Sequence, residues 1–316
     1  MPLAFLILLC FVLILLLLLM VASLYFYNVA VARRPKEFLS SSSDLAVDEF
    51  AELATFDASW LERQTFEEIE MKSQDGLLLR GYYLPASQPT TKTALLAHGY
   101  TGSALGDMGA FAKLYHEVFG YNVLMPDDRG HGASEGQYIG FGWPDRLDYL
   151  KWLHYLVQRV GEDAQIVLHG ISMGGATVLM TCGEASLPAQ VKCVVSDCAY
   201  TSVKAILSYQ ARRLFKIPPF PLVYLVSLVC KIRAGYFFGE ASALRQVSKT
   251  RCPVLFIHGA EDTFVPVAML EPLYQASPAY KEKLIVPKAG HGLSYSADVA
   301  GYRQRVGEFL QKFIQE

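Results

Sequence analysis

At 316 residues the chain is long enough for an apolar N-terminal segment followed by one full α/β domain. A formal net charge of −2 leaves no basic footprint, which excludes nucleic acid as a partner class. Six cysteines without a C-x-x-C pair exclude a small disulfide-stapled scaffold and favour a reducing compartment.

Hydrophobic residues make up 52% of the chain, and the N-terminus holds much of the excess. Residues 1–32 carry no charge, and 3–27 are apolar except for Ser23. That length and leucine content predict a helix that crosses a bilayer. Tyr25, Phe26 and Tyr27 stand where an interfacial aromatic belt belongs, and Arg33, Arg34 and Lys36 follow. The rival is a cleaved signal peptide with Ala30-Val31-Ala32 as its A-x-A site. The apolar region is too long for that, and no basic residues precede it. Positive-inside counting on Arg33, Arg34 and Lys36 points to a cytoplasmic domain, but the side of the membrane is left open. The expected organisation is an anchor over 1–32, a linker over 33–44 ending in a serine-rich break, and a domain over 45–316.

A short helix is expected over 45–64. Two strands over 66–72 and 77–84, around Asp75-Gly76, read as a hairpin. Short apolar strands then alternate with helices. The strands fall at 94–97, 122–126, 165–169, 193–195, 254–257 and 284–286, and the helices at 108–119, 143–160, just after residue 172, and 298–314. This order predicts an α/β fold with a mostly parallel sheet and helices on both faces. The stretch from about 201 to 248 is too long for one connection. It contains Lys216-Ile217-Pro218-Pro219-Phe220-Pro221 and then an apolar run to Cys230, too short and too proline-rich to span a membrane. It reads either as a lid over an acyl-chain site or as ordinary helix packing on the sheet.

Gly170-Ile171-Ser172-Met173-Gly174-Gly175 lies between the strand at 165–169 and a helix. Strand, G-x-S-x-G, helix is the setting of a nucleophile elbow, in which the glycines allow a sharp turn that exposes the serine. A serine hydroxyl needs a base, and the base needs an orienting group. Asp262 follows the strand at 254–257, in Gly259-Ala260-Glu261-Asp262, and His291 follows the last strand, in Gly290-His291-Gly292. Both loops fall at the carboxyl edge of the sheet, as the elbow does. Of seven histidines, His291 alone comes after the expected acid. Glu261 and Asp197 are the alternatives to Asp262. An oxyanion needs two backbone N–H donors. They are expected from Met173, next to the serine, and from Tyr100 in the loop His98-Gly99-Tyr100-Thr101-Gly102. Asp127-Asp128-Arg129-Gly130-His131-Gly132-Ala133-Ser134 has no metal-ligand spacing and reads as a structural loop.

These segments, in this order, resemble the α/β-hydrolase superfamily from about residue 66 to 314. The likeness is to the lidded single-domain hydrolases grouped with serine aminopeptidases and monoacylglycerol-lipase-like esterases, and the N-terminal segment is similar to that of membrane-tethered members. The resemblance implies a serine hydrolase with Ser172, Asp262 and His291 as its triad and no metal or organic cofactor. Its partners would be a small or lipid-like acyl substrate and, through the N-terminal helix, a membrane. An ester is the expected substrate, with a peptide or amide bond as the runner-up. A non-catalytic binding protein on the same scaffold is the remaining alternative. A serine at the elbow argues against the epoxide- and halide-processing relatives, which carry aspartate there.

Overall fold

The computed structural model describes residues 2–36 and 59–315. Most of the expected linker and all but the end of the expected helix at 45–64 lie outside the described residues.

The N-terminal helix, Leu3–Ala30, has 28 residues and a mean hydropathy of 3.5 over its most apolar window, enough in length and composition to cross a membrane. It has two parts. Residues 3–21 are exposed, Leu19 excepted, whereas Ser23 and Tyr27 are buried against the domain. The residues that follow are docked as well. Ile139 N–H donates to Val31 O (2.7 Å) and Arg33 N–H to Gln137 O (2.9 Å), with Ala32 bridging Tyr138. The Arg33 guanidinium donates to Ser134 O (2.6 Å) and Gly132 O (2.7 Å). Arg33, expected at the start of a linker, is therefore bound to the domain. The turn that follows residues 122–126 gathers backbone carbonyls where a planar, five-donor cation can collect them.

Eight strands form one sheet in the order β1-β2-β4-β3-β5-β6-β7-β8. β1 (Glu67–Lys72) and β2 (Leu78–Leu84) form the expected hairpin, and β2 runs antiparallel to β4 (Asn122–Pro126). β3 (Lys92–Ala97), β5 (Gln165–Ile171), β6 (Val191–Asp197), β7 (Val254–Gly259) and β8 (Lys281–Val286) are parallel to their neighbours. β4 and β7 are buried at every position, as continuous apolar runs covered on both faces should be.

The sheet separates two cores. On one face lie the last turns of the N-terminal helix, the helices Asp145–Val160 and Met173–Thr181, and the segment between β6 and β7. On the other, Phe111, Tyr115, Tyr302 and Phe309 pack together. A fully buried side chain such as Phe309 contributes roughly 1.5–3 kcal/mol. The helix expected at 108–119 is Gly109–Lys113 continued by a π turn, Leu114–Val118. The helix expected from 143 starts at Asp145, where the Asp145 carboxylate accepts from Gly142 N–H (2.9 Å).

Between β6 and β7 the chain makes a long helical excursion. Val203–Arg213 begins at Ser202, whose hydroxyl accepts from Ala205 N–H, and Leu222–Ala234 ends at Gly235 in the left-handed region. The second helix buries Leu222, Val223, Val226 and Cys230 and packs along the end of the N-terminal helix.

Candidate active site

Ser172 sits where β5 turns into the helix Met173–Thr181, with φ 54° and ψ −115°. This is a strained backbone conformation for a residue with a Cβ, held by Ser172 N–H donating to Asp197 O (2.9 Å). The flanking glycines are required by close approach. A Cβ on Gly170 would lie 2.2 Å from Gly174 O, and one on Gly174 would lie 2.0 Å from Ala97 O.

Asp262 follows β7 and His291 follows β8, and their loops bring both to Ser172. His291 Nδ1 lies 2.8 Å from Asp262 Oδ2, and His291 Nε2 lies 2.8 Å from Ser172 Oγ. An ionised carboxylate only accepts, so Nδ1 carries the proton and Nε2 is left to accept the serine hydroxyl. The other carboxylate oxygen, Oδ1, accepts from Phe264 N–H (3.0 Å) and Val265 N–H (2.8 Å). Burial opposes the Asp262 charge, but the charge of His291 and hydrogen bonds from His258 and His291 outweigh it and hold the carboxyl at about 2. All three side chains are buried, Ser172 being 7% exposed.

His258 precedes Asp262 in the chain, out of the order expected of a base. Its Nε2 lies 3.1 Å from Asp262 Oδ2 and 2.8 Å from Val265 O. Both are acceptors, so Nε2–H is shared between them, and Asp262 is gripped by two imidazoles. The i, i+4 spacing across the β7 turn was the one signal in the sequence. Asp197 occupies a different position. Its carboxylate accepts from Ser294 Oγ–H (2.9 Å) and Tyr302 Oη–H (3.1 Å), and burial raises its pKa to about 6 despite these bonds.

Met173 is the first residue of the elbow helix, so its N–H has no partner within that helix and points along the positive end of the dipole. In the loop after β3, Gly99 N–H donates to Asp107 Oδ2 (3.1 Å), which leaves Tyr100 N–H as the next donor on that strand end. Gly99 comes close to the serine: a Cβ there would lie 3.7 Å from Ser172 Cβ. His98 shapes this loop. Its Nε2 accepts from Asp128 N–H (2.9 Å) and its Nδ1 lies 2.8 Å from Gly99 O. In the Asp127–Ser134 stretch Arg129 pairs with Asp148 (2.7 Å) and Asp75 (2.8 Å) and Asp127 accepts from Ala104 N–H and Ala133 N–H, whereas the buried Asp128 Oδ2 and His131 Nε2 have no hydrogen-bond partner among the described residues.

Cys198, Asp262 and His291 bring ligand-type atoms within 4.8 Å of one another. The protein already engages both His291 nitrogens, and burial pushes the Cys198 thiol far above the usual range, so this cluster does not fit a resident metal.

A pocket opens beside Ser172. Its walls include Ile206, Val223 and Val226 of the excursion and, unexpectedly, Phe26, Val29 and Ala30 of the N-terminal helix. Among the described residues, the lining side chains with a polar atom are Ser172, Tyr100, Tyr200 and Gln210, and none of these is charged. The tyrosines donate to Ala30 O (2.7 Å) and Phe141 O (2.9 Å), and Gln210 Nε2–H donates to Phe264 O (2.7 Å).

The alpha/beta hydrolase fold family matches residues 93–222, from β3 through the elbow into the excursion. YqkD of Bacillus subtilis, an uncharacterized protein, is 31% identical over 252 residues, which cover 78% of this chain and 81% of that one. The chain belongs to the alpha/beta hydrolase fold family. Among solved structures, the Pyrococcus furiosus esterase Pf2001 matches this hydrolase fold with a TM-score of 0.65 at 23% identity, covering 80% of this chain and 92% of that one. The acylaminoacyl peptidase of Pyrococcus horikoshii matches with 0.60 at 18% identity, covering 83% of this chain and 44% of that one. One hydrolase fold thus carries an esterase and a peptidase, so the substrate has to be argued from the pocket.

Proposed function

We propose that this chain is a membrane-anchored serine hydrolase that cleaves carboxylic esters through an acyl-enzyme. The observation that carries the reading is His291, held 2.8 Å from both Asp262 Oδ2 and the Oγ of Ser172, which itself lines a carbon-walled pocket. His291 Nε2 takes the hydroxyl proton as Ser172 Oγ attacks the ester carbonyl, and Asp262 holds the imidazole in the required tautomer and balances its charge. The N–H groups of Met173 and Tyr100 stabilise the oxyanion. The proton passes from His291 to the leaving alcohol. Water, deprotonated by the same imidazole, then releases the acid and restores Ser172.

The pocket favours an acyl ester over the aminopeptidase alternative. A free α-amino group needs a carboxylate or several acceptors, and no charged side chain lines this pocket among the described residues. The helices of the excursion, residues 201–248, serve as a lid that supplies the acyl wall. The N-terminal helix is the anchor. Uncleaved retention is supported by the burial of Val31 and Ala32, where a signal-peptide cut would fall.

The test uses the full chain in detergent. A fluorophosphonate should label wild type and not Ser172→Ala, and p-nitrophenyl esters should turn over in preference to aminoacyl anilides. Preferred anilide turnover would move the enzyme to the peptidase branch, and absence of labelling would sink the serine-hydrolase reading. Intact-mass analysis that finds the chain starting after Ala32 would overturn the anchor.

A further inference from the structure

The N-terminal helix does more than reach the domain: Phe26, Val29 and Ala30 are part of the pocket wall, and Ala30 O accepts the Tyr100 hydroxyl at 2.7 Å. Phe26 stacks edge-on against Phe215 of the excursion with ring centroids 5.1 Å apart, and the Arg233 guanidinium lies over Tyr27 at 5.3 Å. The helix and the lid thus form a seam, and the pocket lies along it.

The position of this seam relative to a bilayer follows from helix geometry. Residues 3–21, the exposed part, span about 28 Å at about 1.5 Å per residue, close to the roughly 30 Å hydrocarbon thickness. Phe26 lies five residues further on, about 7 Å beyond, which is the depth of the headgroup layer. The pocket mouth therefore sits at the level where the ester linkages of membrane lipids lie.

The outer surface of the lid matches that location. The helix Leu222–Ala234 buries one face but presents Tyr224, Leu228 and Ile232 to the exterior, and Phe220 in the turn before it continues the four-residue spacing, at 51, 48, 76 and 72% exposure respectively. Among the described residues outside the N-terminal helix, five of the nine exposed large apolar side chains are in this lid, with Phe237 the fifth. Such a stripe on one helix face is large enough to require a partner. The lid is also predominantly basic. Residues 201–248 contain Lys204, Arg212, Arg213, Lys216, Lys231, Arg233 and Arg245 and a single acid, Glu240, which pairs with Lys231 at 3.5 Å. An apolar face flanked by cations, next to a transmembrane helix, is complementary to an anionic leaflet.

We infer that the end of the membrane helix completes the acyl pocket, that the lid stripe at Phe220, Tyr224, Leu228 and Ile232 lies in an anionic leaflet, and that the substrate is a bilayer-resident acyl ester drawn in along the seam. This rests on the serine-hydrolase reading and names its substrate class. The acyl chain passes from lipid into a carbon-lined pocket without crossing water. The ester carbonyl arrives at Ser172 with its headgroup still at the surface.

The test uses the full chain in nanodiscs of equal phosphatidylcholine and phosphatidylglycerol. In a Cys10→Ala background, with the other five cysteines buried, a fluorophore on Ile232→Cys should be quenched by doxyl-labelled lipids. One on Glu308→Cys, on the helix that packs against the opposite face of the sheet, should not. Leu228→Ser with Ile232→Ser should lower the ratio of nanodisc diacylglyceride turnover to p-nitrophenyl butyrate turnover by about tenfold or more. Phe26→Trp should shift the chain-length optimum for soluble esters to shorter acyl groups. Failure of wild type to take a fluorophosphonate would remove the inference together with the reading under it. Normal labelling with an unquenched label at 232, or with a stripe that covers a second copy of the chain, would overturn the inference alone. So would a Phe26→Trp profile identical to wild type.

Discussion

The Tyr100 hydroxyl donates to Ala30 O at 2.7 Å, which ties the loop after β3 to the last residue of the N-terminal helix. The Tyr100 ring also stacks on Phe141, centroids 5.3 Å apart. The proposed oxyanion donor is the backbone N–H of the same residue, so the side-chain bond sets the position of a group it does not itself supply. Tyr100→Phe keeps the donor and the ring and removes only the tie. A net hydrogen bond of about 1 kcal/mol corresponds to roughly a fivefold fall in kcat/KM for p-nitrophenyl butyrate, with fluorophosphonate labelling slowed and not abolished. An unchanged kcat/KM would mean that the loop holds its position without the helix.

Asp262 should carry both activity and acid stability. Its carboxyl is held at about 2, below its ordinary value of 3.8. A depressed carboxylate stabilises the fold at pH values above the ordinary value, and that contribution is lost as pH falls through the folded one. The window is therefore pH 4 to 2, and the contribution is about 2 kcal/mol. Denaturant midpoints measured through that window should fall steeply for wild type and less for Asp262→Asn, whose kcat should drop by roughly 10³–10⁴.

Asp197 gives the opposite sign. Its carboxyl is raised by burial from 3.8 to about 6, so its favourable contribution is complete below pH 4 and is lost as pH rises through 6. Asp197→Asn should flatten the decline in stability between pH 4 and 7 by about 3 kcal/mol at most and should keep serine labelling. Loss of labelling in a folded Asp197→Asn protein would reassign the triad acid.

Gly174→Ala should abolish the elbow. Its Cβ would meet two backbone oxygens, Ala97 O at 2.0 Å and His98 O at 2.6 Å, and neither can move without parting β3 from the turn. A loss of at least about 3 kcal/mol is expected, while Gly239→Ala, with nothing within 4 Å of the added carbon, should stay within about 0.5 kcal/mol of wild type. Thermal midpoints in detergent compare the two.

The strands and the elbow were legible because each is a local pattern: a short apolar run, then glycines or a turn. Ser172, Asp262 and His291 could be singled out because each follows such a run, and parallel strands bring their carboxyl ends to one edge. What the sequence did not disclose is contact between distant segments. The bridge from Ala32 to Tyr138, the seating of Arg33 on Gly132 and Ser134, and the entry of Phe26 into the pocket join residues about 100 or more apart in two cases and bring the N-terminal apolar helix into the domain in the third. No periodicity encodes such pairings. The grip of His258 on Asp262 was hidden for another reason, since chain order ruled the histidine out as a base while saying nothing of it as a support.

In the proposed membrane-anchored enzyme, the docking of residues 31–33 on the turn after β4 removes slack between membrane and domain. A tethered enzyme on a long leash samples a hemisphere of solution, whereas a domain bolted to its span at this point keeps one height and one azimuth. Its encounters are then two-dimensional. Turnover would depend on the mole fraction of substrate in the surrounding leaflet and on lateral diffusion past the seam, and diluting the same amount of lipid into more water would leave the rate unchanged.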